Sequence, residues 1–187
     1  HYPLRRQRQM CIRDRPQYAE QILKDFNGIL QVDGYAGYSR LVAPDRVGQN
    51  IQLAFCWAHA RRKLIEITRT GSSPIAEDGV KRIGQLYKIE AELRGLNPEA
   101  RLAVRQAQSK PLIIDMQTWL AHHRARVSAK APLGEALKYI AKYWDGLCLF
   151  LSDGRVELDN NSVERTIRPI ALSRNCLLYT SPSPRDS

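Results

Sequence analysis

The stretch GILQVDG, from Gly28 to Gly34, decides the fold because it predicts a short buried strand that ends on a carboxylate. Three apolar residues precede Asp33, and the following glycine is typical of a strand end. A second apolar run, Ile51 to Cys56, predicts another strand and leads into a helical pattern from about Ala58. The start of the chain therefore predicts an α/β arrangement in which a strand delivers a carboxylate.

Residues 72 to 144 predict only helices. Ser73-Pro74, Asn97-Pro98 and Pro132 indicate three helix starts, because Pro fits the first helical turn. Pro111 is expected to interrupt the second of these helices. Apolar residues recur at helical spacing through this block and are predicted to form core rather than a cofactor site: Ile83, Leu86, Tyr87, Leu93, Leu112, Ile113, Met116, Trp119, Leu120, Leu133, Leu137, Ile140, Ala141 and Trp144.

The composition favours a globular domain with a polyanionic partner. The 187 residues carry a formal net charge of +10, and an excess of this kind attracts polyanions without specifying a fold. No apolar run is long enough to span a bilayer, and the first residues lack the apolar segment of a secretory signal. Four cysteines without paired spacing do not predict a disulfide framework. A cytoplasmic location and no membrane partner are therefore expected.

Both ends of the chain resemble translated adapters of transposon-based DNA sequencing libraries. These ends, residues 1–15 and 176–187, are expected to be non-native tails. They carry six arginines and two aspartates, so the net charge falls from +10 to +6 without them. The basic excess is milder in the remaining chain but persists.

The stretch LDNNSVERTIRP, from Leu158 to Pro169, predicts a helix that presents a glutamate. It follows a hairpin-like segment with an Asp-Gly turn, and an asparagine caps it. Asn160 and Arg168 lie four residues either side of Glu164 and share its helical face. A surface Glu–Arg pair would contribute only about 0–1 kcal/mol. The amides and arginines instead favour a carboxylate that works beside phosphate.

The stretch CWAHARRK contains a possible metal pair and a basic run. Cys56 and His59 have a spacing found in zinc sites, but zinc needs three or four ligands and no second cluster follows. A packed Cys–His pair near Asp33 is the favoured interpretation. Arg61, Arg62 and Lys63 are candidates for DNA phosphate contacts, with a solvated basic face as the alternative.

Four stretches together resemble the insertion sequence 66 family of bacterial DDE transposases: GILQVDGYAGY, CWAHARRK, AKYWDGLCLFLSDGRVELDNNSVERTIRP and IALSRN. The likeness runs from about Pro16 to Asn175. It implies a partial RNase H-like core, late strands only, with a large all-helical insertion, so that the chain is mostly α by residue count. The implied divisions are a core over 16–70, a helical insertion over 71–150 and a return to the core over 151–175.

The resemblance implies which residues act. Asp33 and Glu164 match the second and third acidic ligands of a two-metal Mg²⁺ or Mn²⁺ site. Cys56 and His59 match a structural element near that site. The residues that match the segment around the glutamate, and are implied to contact DNA, are Asn160, Asn161, Arg165 and Arg168.

The resemblance also implies a DNA strand cleavage and transfer activity, with transposon ends and target DNA as partners. Self-association in a DNA complex and accessory proteins from the same element are expected. The first acidic ligand has no match in this sequence, which predicts an inactive fragment. Two alternatives stay open: a non-catalytic helical DNA-binding or assembly module, and another RNase H-like nuclease.

Overall fold

The computed structural model describes residues 20, 23–32, 36–43 and 50–159. The predicted helix before residue 28 and the predicted glutamate helix lie largely or wholly outside these ranges. Within them, the elements run in this order: β1 Gly28–Val32, a 3-10 helix Ala36–Val42, β2 Ile51–Phe55, α1 Trp57–Thr70, α2 Pro74–Glu92, α3 Pro98–Val104, a π turn Arg105–Ser109, α4 Lys110–Arg124, α5 Pro132–Lys142, α6 Trp144–Cys148 and a 3-10 helix Leu149–Leu151. The prediction of a mostly helical chain with a small α/β part is confirmed for these ranges.

The two strands form a parallel pair. Gly28 lies opposite Ile51, and Val32 lies opposite Phe55. The carboxyl ends of both strands therefore meet at one edge of the sheet, which we call the carboxyl edge. Helix α1 begins two residues after β2 ends, so its N-terminus lies at the same edge.

The core lies between β2 and the helices. Trp57, fully buried at the start of α1, donates its indole Nε1–H to the carbonyl oxygen of Leu147 at 2.8 Å. Helix α6 packs so closely on β2 that a Cβ added to Gly146 would lie 2.4 Å from the Leu53 carbonyl oxygen. Most of the predicted apolar stripe is buried, including Ile83, Leu137 and Ile140 at 0% exposure. Burial on this scale provides the main free energy that holds the helices on the sheet.

Two predicted helix starts have the expected caps. The side chain of Ser73 accepts a hydrogen bond from the Ala76 amide, and that of Asn97 accepts one from the Ala100 amide at 2.8 Å. Each cap satisfies a backbone donor that the first helical turn leaves unpaired.

The prediction that Pro111 interrupts a helix is wrong. The chain stays helical from residue 98 to residue 124 through the π turn Arg105–Ser109. The amide of Lys110 donates to the carbonyl of Arg105, five residues earlier. A proline inside an α-helix lacks a donor and clashes with the preceding turn, and the wider π turn just before Pro111 accommodates that constraint.

The expected hairpin after α6 is also absent from the described part of the chain. Residues 149–159, which we call the return segment, form a short 3-10 helix followed by turns. Gly154 in this segment is buried against α3, where an added Cβ would lie 1.9 Å from the Pro98 carbonyl oxygen. The segment is fixed by contacts with helices rather than by strand pairing.

Across the described ranges, none of the helices is both long and apolar enough to cross a membrane.

Candidate functional site

The two candidate carboxylates, Asp33 and Glu164, lie outside the described residues. The same holds for Asn160, Asn161, Arg165 and Arg168. What the structure shows is the course of the chain just before each carboxylate. β1 ends at Val32, and the return segment ends at Asp159.

The return segment lies against both β1 and the N-terminus of α1. The side-chain amide of Gln31, in β1, donates to the carbonyl oxygen of Glu157 at 2.9 Å. The backbone amide of Trp57, at the start of α1, donates to the carbonyl oxygen of Leu158 at 3.1 Å. The chain that leads to Glu164 therefore contacts the strand that leads to Asp33.

A buried arginine fixes the same segment from the helical side. Arg105 is fully buried and forms a two-pronged ion pair with Glu90, with both N···O distances at 2.7 Å. Its third nitrogen, Nη1, donates to the carbonyl oxygens of Val156 at 2.9 Å and Phe150 at 3.1 Å. The carbonyls of three consecutive residues, 156 to 158, are thus held by the π turn, by β1 and by α1.

A second arginine reinforces this attachment. Arg101 forms a two-pronged pair with Glu157, with both N···O distances at 2.8 Å. Hydrogen bonding to Arg101 lowers the pKa of the Glu157 carboxyl group, and the same contact raises the pKa of Arg101. Arg101 also lies 3.6 Å from Glu90, so the two pairs form one network.

Sequence reasoning missed this network. In the sequence, Arg101 and Arg105 are two of several basic residues spread through the helical block, and ordinary solvated charge is the simplest prediction for such residues. The side chain of Arg105 is 0% exposed and that of Arg101 is 15% exposed. Their spacing of four residues indicates that both lie on one helical face. Their carboxylate partners are distant in the sequence, since Glu157 lies 56 residues from Arg101 and Glu90 lies 15 residues from Arg105.

The end of the return segment borders a cleft of about 330 Å³ between α2 and α3. Tyr87, Arg94 and Asp159 are among the residues that line it. Burial raises the pKa of the Tyr87 hydroxyl, and the neighbouring Asp159 carboxylate raises it further. The hydroxyl of Tyr87 therefore stays protonated at neutral pH beside the Asp159 carboxylate.

The basic run on α1 divides between two faces. Arg61 and Arg62 line a groove of about 610 Å³ between α1 and α2, together with Arg69. Lys63 instead places its ammonium group 4.8 Å from the centre of the Tyr139 ring, in a cation–π contact with α5. The structure brings two of the three candidate phosphate contacts together and places the third elsewhere.

Cys56 and His59 occupy the turn from β2 into α1. Cys56 is 2% exposed, and its carbonyl accepts the amide N–H of His59 at 3.2 Å. The Nδ1 atom of His59 is buried and has no hydrogen-bond partner among the described residues. Across residues 20, 23–32, 36–43 and 50–159, no three His, Cys, Asp or Glu side chains group closely enough to hold a metal ion.

Comparison with known proteins identifies a family over most of the chain. The family model described as "Transposase IS66 family" matches residues 9–183. No solved structure matches the chain.

The chain is also similar to curated proteins from Sinorhizobium fredii (strain NBRC 101917 / NGR234). It is 42% identical over 172 residues to the "Uncharacterized protein y4hP", covering 86% of this chain and 31% of that protein. It is 41% identical over 164 residues to the "Uncharacterized protein y4jD", covering 86% of this chain and 32% of that protein. The chain therefore spans about a third of the length of these relatives.

Proposed function

The chain belongs to the IS66 family of transposases, and from that membership we propose that it is part of a catalytic domain that cleaves DNA strands and joins them to a target. The core that carries this activity is RNase H-like, with the helical block inserted between the second and third acidic ligands. The parallel pair of β1 and β2 supplies its late strands.

In this proposal, Asp33 and Glu164 are two ligands of a shared divalent-metal site. The single observation that carries it is the contact between Gln31 and Glu157, because it joins the strand before Asp33 to the segment before Glu164. Both side chains are carboxylates, and Mg²⁺ and Mn²⁺ prefer such hard oxygen ligands. Two bound ions would activate the attacking oxygen and stabilise the leaving oxygen in an in-line displacement at phosphorus.

The remaining residues of the proposed site orient the DNA. Asn160 and Asn161 donate amide hydrogen bonds to phosphate or to water beside Glu164. Arg165 and Arg168 pair with phosphate oxygens, for which the planar guanidinium is well suited. Cys56 and His59 pack beside the carboxyl edge and hold the start of α1, a structural role.

We place the first acidic ligand of the site in a part of the protein outside this sequence. Activity therefore requires a longer protein, consistent with the chain covering about a third of its relatives.

We further propose that the ends, residues 1–15 and 176–187, are adapter-derived. The partners of the complete protein are the transposon ends, target DNA, further copies of itself and accessory proteins of the same element.

A second candidate function is a DNA-binding or assembly module without catalysis. It is favoured by the groove between α1 and α2, which is lined by Arg61, Arg62 and Arg69 and by one acid, Glu66. The two candidates differ in whether Glu164 is needed for chemistry or only for structure.

The test is the substitution Glu164→Gln in the sequence extended to the length of its relatives. We expect loss of Mg²⁺-dependent cleavage and joining with DNA affinity unchanged, because the amide keeps the size of the side chain but not the charge. The matched control is Glu135→Gln, an exposed carboxylate on α5, which leaves activity intact. DNA joining at the wild-type rate by the Glu164→Gln protein would refute the catalytic role of Glu164. The second candidate function, a module without catalysis, would then be favoured.

A further inference from the structure

We propose that the groove between α1 and α2 is the track along which one DNA strand approaches the carboxylates, with Arg61, Arg62 and Arg69 holding its phosphates. This inference rests on the proposed function for the identity of the polyanion as DNA. It adds Arg69 and Tyr87 to the candidate DNA contacts and removes Lys63.

The three arginines form one stripe. They lie on a single face of α1, at spacings of one, seven and eight residues, and all line the same groove. Eight residues of helix span about 12 Å, and one strand of a duplex rises about 3.4 Å per nucleotide. The stripe is therefore long enough to follow roughly three nucleotides of a single strand.

The charge of this stripe is not neutralised within the described residues. There, no salt bridge joins Arg61, Arg62 or Arg69 to a carboxylate, and the Nε atom of Arg61 is buried without a hydrogen-bond partner. Four arginines elsewhere in the helical block and the return segment are paired with acids: Arg82 with Asp78 and Asp115, Arg101 with Glu157, Arg105 with Glu90, and Arg155 with Asp153. Arg94, Arg124 and Arg126 also form no salt bridge within the described residues, but they do not line this groove. Glu66 also lines the groove, so three positive charges and one negative charge face it. The groove thus retains positive charge for an external anion.

The groove is open on one side and meets the cleft at the end of the return segment. A Cβ added to Gly84 would meet no atom within 4 Å, so the α2 side of the groove is open. Tyr87 lines both this groove and the cleft that contains Asp159. Asp159 precedes Glu164 by five residues. Tyr87 is half-buried against the helical core, and its remaining exposed surface at this junction offers a base a stacking contact, which tolerates any sequence.

The structure supplies a control for the proposal within the same helix. Lys63 carries the same charge as Arg62 but faces Tyr139 on α5. If the groove binds DNA, loss of the arginine stripe should weaken DNA binding more than loss of Lys63. If DNA is only attracted to a basic surface in general, loss of either charge should weaken binding equally.

The experiment measures the binding of a fluorescein-labelled 20-nucleotide single strand to the 187-residue chain by anisotropy, in EDTA and over a series of salt concentrations. We expect the double variant Arg62→Gln/Arg69→Gln to bind about tenfold more weakly. Its slope of log affinity against log salt should be shallower by about 1.4, since each phosphate contact to a single strand contributes about 0.7. Both side chains are exposed, so the variant folds as the wild type does, which circular dichroism checks.

Two further variants make the result decisive. Lys63→Gln/Lys130→Gln removes the same charge outside the groove and should change affinity less than twofold. Gly84→Leu fills the groove without changing charge and should weaken binding. Equal losses from the two double variants, or wild-type binding by Gly84→Leu, would overturn the track. Because no metal is present, these outcomes are independent of the Glu164 test, and a failure of catalysis leaves the groove result standing.

Discussion

At the residue scale, the guanidinium of Arg105 connects the helical block to the return segment. It is fully buried, and its nitrogens bond to the Glu90 carboxylate and to backbone carbonyls of the return segment. A buried ion pair of this kind contributes little net stability compared with apolar residues, but loss of one partner leaves the other as an uncompensated buried charge. Arg105 therefore specifies where the return segment lies.

The substitution Arg105→Leu should lower the free energy of unfolding by about 3–5 kcal/mol, the cost of leaving a buried carboxylate unpaired. Urea unfolding followed by circular dichroism measures this change. The control is Arg155→Leu, which removes an exposed pair with Asp153 and should leave the free energy of unfolding close to that of the wild type. The double variant Arg105→Leu/Glu90→Leu should recover part of the loss. A loss below about 1 kcal/mol from Arg105→Leu alone would show that the pair is not buried.

At the element scale, the helices and strands were predictable from the sequence because their signals are local. Caps at Ser73 and Asn97, and apolar residues at helical spacing, act within one or two turns. The predicted Asp-Gly turn is present, since the amide of Val156 donates to the carbonyl of Asp153. The hairpin-like pairing expected around it is absent from the described residues, because contacts from distant residues fix the return segment. Pro111 is accommodated within a continuous helical segment by a π turn, which no local sequence pattern indicates.

Acid should release the return segment before the helices. Hydrogen bonding to Arg101 lowers the pKa of Glu157, and this pair joins the return segment to α3. The folded pKa of Glu157 lies below its unfolded value of about 4.5, so the unfolded state binds more protons and stability falls as pH falls. The contribution is present above about pH 4.5 and is lost as the pH falls through the folded pKa.

Hydrogen exchange measured peptide by peptide tests this expectation. After correction for intrinsic exchange rates, residues 149–159 should lose protection between pH 5 and pH 2.5, while the peptides of α4 keep theirs. Glu157→Gln should make the segment less protected at pH 5 and less sensitive to acid. Parallel loss of protection in the return segment and α4 would contradict a local release.

At the scale of the whole molecule, the chain places a helical block between the two segments that lead to its candidate carboxylates, and then brings those segments back into contact. Gln31 and Glu157 are 126 residues apart in the sequence, yet the side-chain amide of Gln31 donates to the backbone carbonyl of Glu157 at 2.9 Å. The family could be inferred from sequence motifs around both carboxylates, and the family match confirms it. The contact itself could not be predicted, because it depends on how the helical block packs.

The most direct test of a shared metal site maps iron-mediated cleavage in the sequence extended to the length of its relatives. Fe²⁺ replaces Mg²⁺ at the carboxylates, and ascorbate with peroxide produces hydroxyl radicals that cut the nearby backbone. Mass spectrometry should locate cuts beside both Asp33 and Glu164, suppressed by excess Mg²⁺ and lost at both positions in Glu164→Gln. Cuts beside Asp33 that persist in that variant, or cuts at only one of the two residues, would contradict the account.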